Sequence, residues 1–261
     1  MSGSKHPFGM IGDVRAVAVI PTYNERENLP LVVEKIREHA PQLDLLIVDD
    51  NSPDGTGQLA EELARVSNGR LAVLHRPAKE GLGRAYVAGF QHVLARGYDT
   101  IVQMDADLSH DPSFLPAFLE EIRQADLVLG SRYVHGIAVV NWDFKRLLLS
   151  KAATAYVRLI TGMPFTDLTG GFKCWRSEAL KAIGLKEVFA NGYLFQVETT
   201  YRAWKKGFRI KEVPIIFFER NLGRSKMDFG IIWEALWGVI RLRLRSHAGP
   251  KVLPQGGQER R

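Results

Sequence analysis

Four short apolar runs, each separated from the next by a stretch with helical periodicity, constrain this chain more than any other feature. Residues 14–20 (VRAVAVI) are β-branched and stop at Pro21. Residues 43–48 (LDLLIV) lead directly into Asp49 and Asp50, residues 71–74 form a third run, and residues 100–104 end at Asp105 and Asp107. Between them the pattern predicts helices. The first starts at Glu27 or Asn28, with Pro30 in its first turn, and stops at His39 and Pro41. The second covers 58–66 behind the turn-rich NSPDGTG, and the third covers 83–96. Strands alternating with helices at this spacing predict an α/β fold, a mostly parallel sheet with helices on both faces. Gly81-Leu82-Gly83-Arg84 lacks the full phosphate-loop fingerprint and reads as the turn before the third helix.

In such a sheet, ligands bind beyond the carboxyl ends of the strands. Residues 21–25, 49–50 and 105–107 all fall there. Asp105 and Asp107, one residue apart at a strand end, suit a divalent cation such as Mg²⁺. That ion takes one or two protein carboxylates and fills its shell with substrate phosphates and water. A lone pair of this kind is weak evidence and reads more readily as two solvated loop acids, but the apolar strand before it and the second acidic pair at a parallel position favour the metal. Arg132 follows the apolar run 127–130, and a guanidinium can grip phosphate through two parallel hydrogen bonds. Arg146 and Ser150 are spaced to share one helix face, although alone Arg146 reads as a surface charge.

Taken in order, four segments resemble the motif series of family-2 glycosyltransferases, and among them most of all the polyprenol-phosphate (dolichol-phosphate) mannose synthases. They are Pro21-Thr22-Tyr23-Asn24-Glu25, Val48-Asp49-Asp50-Asn51-Ser52-Pro53-Asp54-Gly55-Thr56, Asp105-Ala106-Asp107-Leu108-Ser109-His110 and Gly130-Ser131-Arg132-Tyr133, and the similarity runs from about residue 17 to 226. The resemblance implies a GT-A, Rossmann-like nucleotide-diphospho-sugar transferase fold. It implies that Pro21, Tyr23, Glu25, Val48 and Asp50 form the base and ribose pocket, and that Asp105, Ala106 and Asp107 hold the diphosphate and a Mg²⁺ or Mn²⁺ ion. An aromatic face that stacks on a base, and carboxylates that accept from base N–H and ribose O–H groups, make this chemically sensible.

Further roles come from the same resemblance. Ser109 stands where the synthases often carry a glutamine metal ligand; serine has the shorter reach, with water in its place. Arg132, Arg146 and Ser150 are implied to contact the acceptor phosphate. Arg220 and Lys226, within ERNLGRSK, are implied to belong to a mobile basic loop that closes over the nucleotide diphosphate. Asp107 and Arg132 are the expected catalytic residues. Asp167-Leu168-Thr169-Gly170-Gly171-Phe172 and Phe195-Gln196-Val197-Glu198 also match, at the sugar end of the pocket, without a role that chemistry assigns to Asp167 or Glu198.

The single cysteine, Cys174, cannot form an internal disulfide, residues 1–12 do not read as a signal peptide, and the chain reads as cytoplasmic. No apolar stretch approaches the ~20 residues that span a bilayer. The net charge of +6 is concentrated at the end: from Arg241 onward six Lys/Arg face one Glu, leaving 29 basic against 28 acidic residues before it. Residues 144–166 contain no acid. Phe144, Leu148, Ala152, Ala155 and Leu159 form a stripe there, flanked by Lys145, Arg146, Lys151 and Arg158, so 144–160 reads as a basic amphipathic helix. Residues 229–246 form a second, gathering Phe229, Ile232, Trp233, Leu236, Trp237, Val239, Ile240 and Leu244 on one broad face. Either helix alone could simply pack on the sheet. Together with the basic tail they predict peripheral contact with the cytosolic face of a membrane. The expected layout is a flexible 1–13, a transferase domain over 14–228, the helix at 229–246 and a flexible basic tail over 247–261.

The implied activity is inverting transfer of mannose from GDP-mannose to a polyprenyl monophosphate, with UDP-glucose as the alternative donor. A non-catalytic nucleotide-sugar-binding scaffold at the membrane is the alternative of another class. It has no need of the acidic pair or of Arg132, Arg146, Ser150, Arg220 and Lys226. Nucleic acid is not an expected partner; binding through the basic tail would show as a strongly salt-dependent affinity that survives removal of divalent metal. A separate membrane-anchor protein is left open.

Overall fold

In the computed structural model, which describes residues 14–140, 142, 144–218 and 229–245, the four apolar runs are neighbouring parallel strands. β1 (Ala16–Thr22) lies between β2 (Asp44–Asp49) and β4 (Thr100–Gln103), and β2 also pairs with β3 (Leu71–His75). Beyond β4 comes β7 (Lys173–Arg176), antiparallel both to β4 and to β5 (Leu127–Ser131). β8 (Ile210–Pro214), parallel to β5, completes the order β3-β2-β1-β4-β7-β5-β8. β6 (Val139–Val140) and β9 (Phe217–Phe218) form a separate two-stranded ribbon.

Successive residues of a strand face opposite sides of a sheet. Val17 and Val19 accordingly join one buried cluster with α3 (Leu82–Ala95), α6 (Ser177–Ala182), α7 (Gly192–Lys205) and α8 (Phe229–Arg245). Ala18 and Ile20 join another with α1 (Leu29–His39), α2 (Thr56–Val66) and α4 (Leu115–Glu121). Burial on both faces is why these strands read as unbroken apolar runs rather than as alternating patterns. Helix α3 comes close to the sheet at Gly89, where a Cβ would lie 2.9 Å from Val48 Cγ2.

The boundaries follow the sequence to within two residues, with one informative shift. β1 continues through Pro21, which the sequence placed in the following loop. Pro21 turns its backbone toward β4, as Val19 does, but the pairing with β4 has already ended at Val19 and Gln103. The missing N–H therefore removes no ladder bond.

Helix α5 (Phe144–Thr161) covers the predicted amphipathic segment, and its whole predicted stripe is exposed, from Phe144 (76%) to Leu159 (82%). Helix α8 packs on α5 and α7: Tyr156 Oη donates to the Leu236 carbonyl at 2.9 Å, and Val239 and Leu242 are buried. Its expected single apolar face is thus divided, because Val239 faces the core while Trp237 and Leu244 remain exposed. The expected flexible ends, 1–13 and the tail after Arg245, lie outside the described residues, as do the side chains of Phe229, Ile232 and Trp233.

The sequence reading names no strand at β6, β7, β8 or β9, and of these the one flanked by strands on both sides in the main sheet is β7. It begins at Lys173, a fully buried side chain whose Nζ donates to the Gln196 carbonyl at 2.7 Å, Thr200 Oγ1 at 3.0 Å and Thr199 Oγ1 at 3.3 Å. Gln196 in turn accepts from Gln103 Nε2 at 2.6 Å, and the Trp175 indole donates to Gln103 Oε1 at 3.3 Å. This buried network ties β7 and α7 to the last residue of β4, two positions before Asp105.

Burial pulls the Lys173 pKa down to about 7, against the opposing pull of the Asp167 charge. Above that pH the folded amine is neutral, while an unfolded lysine keeps its proton to about pH 10.4, so the unfolded state binds more protons and stability rises with pH. Urea unfolding of the wild type should gain about 2 kcal/mol relative to Lys173→Met between pH 7 and 9. A difference that stays flat across this window would contradict the buried, depressed ammonium.

Candidate active site

A cavity of about 220 Å³ opens at the carboxyl ends of β1, β2 and β4. Pro21, Tyr23, Glu25 and Asp50 line it on one side, and Asp105, Ala106 and Asp107 enter from the end of β4. Val48 is the one described member of the expected donor set that does not line it. Its side chain is buried under α3, and its carbonyl lies 3.5 Å from the Thr22 hydroxyl.

The twin acids after β2 divide their work. Asp49 is buried and accepts from the Ser52 hydroxyl at 2.5 Å, the Ser52 N–H at 3.2 Å and the Thr22 hydroxyl at 3.3 Å, so it builds the loop. Ser52 and Thr56 then accept from the N–H groups of Asn24 and Glu25 at 3.1 and 3.0 Å, which docks the β1 loop on the β2 loop. Asp50 faces the cavity with Arg76 bonded to its Oδ1. Burial raises its pKa, and the Arg76 hydrogen bond and charge act in the opposite sense. Lys79 Nζ lies 3.8 Å above the Tyr23 ring. Asn24, Asn51 and Leu108 all adopt positive φ, and each sits in one of the three loops that meet here. Backbone of this kind persists only where its surroundings fix it, and it concentrates at functional sites.

Both acids of the Asp105–Asp107 pair are held from behind. Tyr86, buried in α3, donates from Oη to Asp105 Oδ1 at 2.7 Å, and the Asp105 N–H donates to His110 Nδ1 at 3.0 Å. Accepting at Nδ1 leaves the imidazole hydrogen on Nε2. Burial lifts the Tyr86 pKa well above its ordinary value, and the Asp105 charge adds to this. Asp107 Oδ1 accepts from the Ser109 hydroxyl at 2.6 Å and from its N–H at 3.0 Å. Ser109 is buried, with that hydroxyl turned to Asp107, and does not line the cavity. Among the described residues no three His, Cys, Asp or Glu side chains form a self-sufficient metal cage. Two carboxylates at the wall of an open cavity nonetheless match a cation that completes its shell with substrate oxygens.

The segment before β7 connects this cavity to a second cluster. At Gly171 a Cβ would crowd Gln196 Nε2 and His110 Cε1, each at 3.3 Å, and would touch Asp105 Oδ2 at 3.6 Å, so the backbone here passes close beside Asp105. Four residues earlier, Asp167 is buried against Arg132. Arg132 Nε donates to Oδ2 at 2.6 Å, Nη2 to Oδ1 at 2.7 Å, and the Arg132 N–H to Oδ2 at 3.1 Å. Arg132 Nη2 also reaches Thr169 Oγ1 at 2.8 Å, while Nη1 has no hydrogen-bond partner among the described residues. Burial lowers the guanidinium pKa and raises that of the carboxyl. The mutual charge and hydrogen bonds outweigh it on both sides, leaving Arg132 raised and Asp167 lowered.

Arg146 and Ser150, on the first two turns of α5, join Arg132 through aromatic rings. The Arg132 and Arg146 guanidiniums lie 5.2 and 4.5 Å from the Trp142 ring centroid, and Tyr133 Oη donates to Ser150 Oγ at 2.8 Å. The three residues expected at the acceptor phosphate are therefore brought together, whereas Arg220 and Lys226 lie outside the described residues. Glu198 stands apart from both clusters. It is buried, accepts from the N–H groups of Phe189 and Ala190, and pairs with Arg202, all of which anchor α7. A larger cavity of about 390 Å³ lies between α1 and α2, lined in part by Arg37 and Arg70, but both guanidiniums are engaged by backbone carbonyls.

Tyr86, His110, Trp142 and Asp167 were not assigned from the sequence. Tyr86 and Trp142 look like ordinary apolar residues there, while His110 and Asp167 stood inside quoted motifs and lacked only the partner that gives each its task.

The family model described as Glycosyl transferase family 2 matches residues 17–184. The polyprenol monophosphomannose synthase of Mycolicibacterium smegmatis is 49% identical over 232 residues, covering 88% of this chain and 88% of that protein. The undecaprenyl-phosphate mannosyltransferase of Micrococcus luteus is 49% identical over 228 residues, covering 87% of this chain and 93% of that protein. Among solved structures, glucosyl-3-phosphoglycerate synthase from Mycobacterium tuberculosis, in complex with Mn²⁺, uridine diphosphate and phosphoglyceric acid, aligns with a TM-score of 0.63. The identity is 19%, over 90% of this chain and 80% of that one, and the likeness is one of fold.

Proposed function

The chain belongs to glycosyl transferase family 2, and from that membership we propose that it transfers mannose from GDP-mannose to a polyprenyl monophosphate, inverting the anomeric carbon. Its α/β architecture is the GT-A type that the motifs implied. One observation carries the reading: a carboxylate-walled cavity suited to a divalent cation and a cluster holding Arg132 and Arg146 share one edge of the sheet, and residues 167–171 join them. Their likeness to two enzymes named for mannosyl transfer to polyprenyl-type phosphates, across most of each chain, supplies the substrate class.

Tyr23, Glu25 and Asp50 would receive the base and ribose, with Pro21 and the β2 strand end shaping the pocket. Asp105 and Asp107 would hold Mg²⁺ or Mn²⁺, which when bound offsets the charge that builds on the departing diphosphate. Ser109 serves this site by orienting Asp107, and Arg220 and Lys226 are assigned to the diphosphate from their motif alone. On the other side, Arg132 through Nη1, Arg146 and Ser150 would hold the acceptor phosphate. A phosphate monoester has a second pKa of about 6 and is largely dianionic at neutral pH, so it needs no protein base. Position and charge are what the residues must supply.

A lipid acceptor fits the outer face of α5, whose exposed stripe begins beside the phosphate cluster. Among the described residues no helix is long and apolar enough to cross a membrane. From the exposed α5 stripe we infer peripheral attachment with α5 in the interface, on the face that the sequence reading expects to be cytosolic. No observation favours UDP-glucose or a purely scaffolding role.

The activity is tested by incubating the protein with Mg²⁺, polyprenyl phosphate and a panel of labelled nucleotide-sugars. Mannose from GDP-mannose should enter the lipid phase, whereas label arriving only from UDP-glucose, or from no donor, would overturn the assignment. In the same assay Asp107→Ala should abolish transfer. Arg146→Ala should reduce it about tenfold or more while GDP affinity stays within about twofold, as expected for a charge-assisted contact to the acceptor alone.

Membrane attachment is tested separately by sedimentation with anionic vesicles. Replacing Phe144, Leu148 and Leu159 together by Ser removes side chains each worth about 1.5–3 kcal/mol when fully buried in lipid. The folded triple variant should stay in the supernatant. Unchanged sedimentation would place the attachment elsewhere.

A further inference from the structure

Trp142 lies where the two arginines of the acceptor cluster meet, its ring also packed edge-on against Phe217 at 5.5 Å and 78°. Its indole Nε1–H is buried and has no hydrogen-bond partner among the described residues. Leaving a buried donor unpaired is destabilising, because the group has lost its water and gained nothing in return. Such groups are rare in native folds, and each calls for a physical reason.

The surroundings supply one. An indole nitrogen can only donate, so its partner must be an acceptor. Two guanidiniums flank the ring, and the Asp167 carboxylate is held by Arg132 through three hydrogen bonds. Arg132 Nη1 and the indole N–H, both without a hydrogen-bond partner among the described residues, together describe a place for acceptor oxygen atoms.

We propose that Trp142 is a further acceptor-site residue, whose Nε1–H donates to an oxygen of the phosphate monoester while its ring positions the Arg132 and Arg146 guanidiniums. The proposal rests on the assignment of Arg132, Arg146 and Ser150 to the acceptor phosphate. The Nε1–H is covered in the arrangement described, so the pairing requires the side chains around the ring edge to move apart when the phosphate enters.

Two variants separate the roles. Trp142→Phe keeps a flat ring and removes the N–H; Trp142→Leu removes both. With GDP-mannose saturating, Trp142→Phe should raise KM for a short-chain polyprenyl phosphate about tenfold, and Trp142→Leu should raise it further. GDP affinity should stay within about twofold in both, which also reports that they are folded. Wild-type kinetics for Trp142→Phe would overturn the proposal and leave the ring as packing.

A readout without turnover guards against both variants failing to fold. In wild-type protein labelled with ¹⁵N at the indoles, titration with farnesyl phosphate should move one Nε1–H resonance downfield, and farnesol should not. No shift, or the same shift with farnesol, would overturn the proposal. A wild type that moves no mannose to lipid phosphate, yet shows the indole shift, would instead refute the proposed reaction and keep the phosphate contact.

Discussion

Parallel pairing of β1 with β2 on one side and β4 on the other makes the chain leave all three strands at the same edge of the sheet. The loops that carry Tyr23 and Glu25, Asp50, and Asp105 to Asp107 must then lie side by side, whatever their own sequences prefer. Parallel strands also need helices on both faces, so the same pairing that builds the site accounts for the two buried clusters beneath it. β7 adds the remaining piece by running the other way. Because Lys173 is paired with Gln103, it is the segment before β7, not the one after it, that reaches the active edge. Asp167 and Gly171 arrive there for that reason.

Four of the charges assigned to the ligands are held by a second group. Asp105 is held by Tyr86 and His110, Asp107 by Ser109, Asp50 by Arg76 and Arg132 by Asp167. Charged groups fixed in this way need little reorganisation when charge shifts between substrates, which is where most electrostatic rate enhancement originates. The Arg132–Asp167 pair shows the cost. Burial alone would favour neutral forms of both, and only their close, multiply bonded geometry reverses that preference.

What could be read from the sequence follows from these same forces. The parallel half was legible because burial on both faces writes itself as unbroken apolar runs, and turn-rich segments mark where they end. β7 was not, since its Lys-Cys-Trp-Arg begins and ends with cations, and the burial of Lys173 depends on acceptors more than twenty residues away. Arg132, Arg146 and Ser150 could be named from motif resemblance, whereas Trp142 could not. Its importance lies in an unpaired N–H between two guanidiniums, which no residue spacing encodes. The stripe on α5 was legible because nothing in the described fold covers it; that on α8 was only partly so, because α5 and α7 take up one side of it.

In the proposed reaction the donor diphosphate and the acceptor phosphate are held on opposite sides of the transferred sugar, one by the acidic pair through its cation and the other by the arginine cluster. Displacement between two such sites proceeds in line, and a single in-line displacement inverts the carbon it attacks. Determining the anomeric configuration of the polyprenyl-phosphate sugar by NMR, from a donor of known configuration, tests this most directly. An inverted linkage is expected. A product that keeps the configuration of the donor would contradict the account, because it would require a covalent glycosyl intermediate or attack from the face of the departing diphosphate.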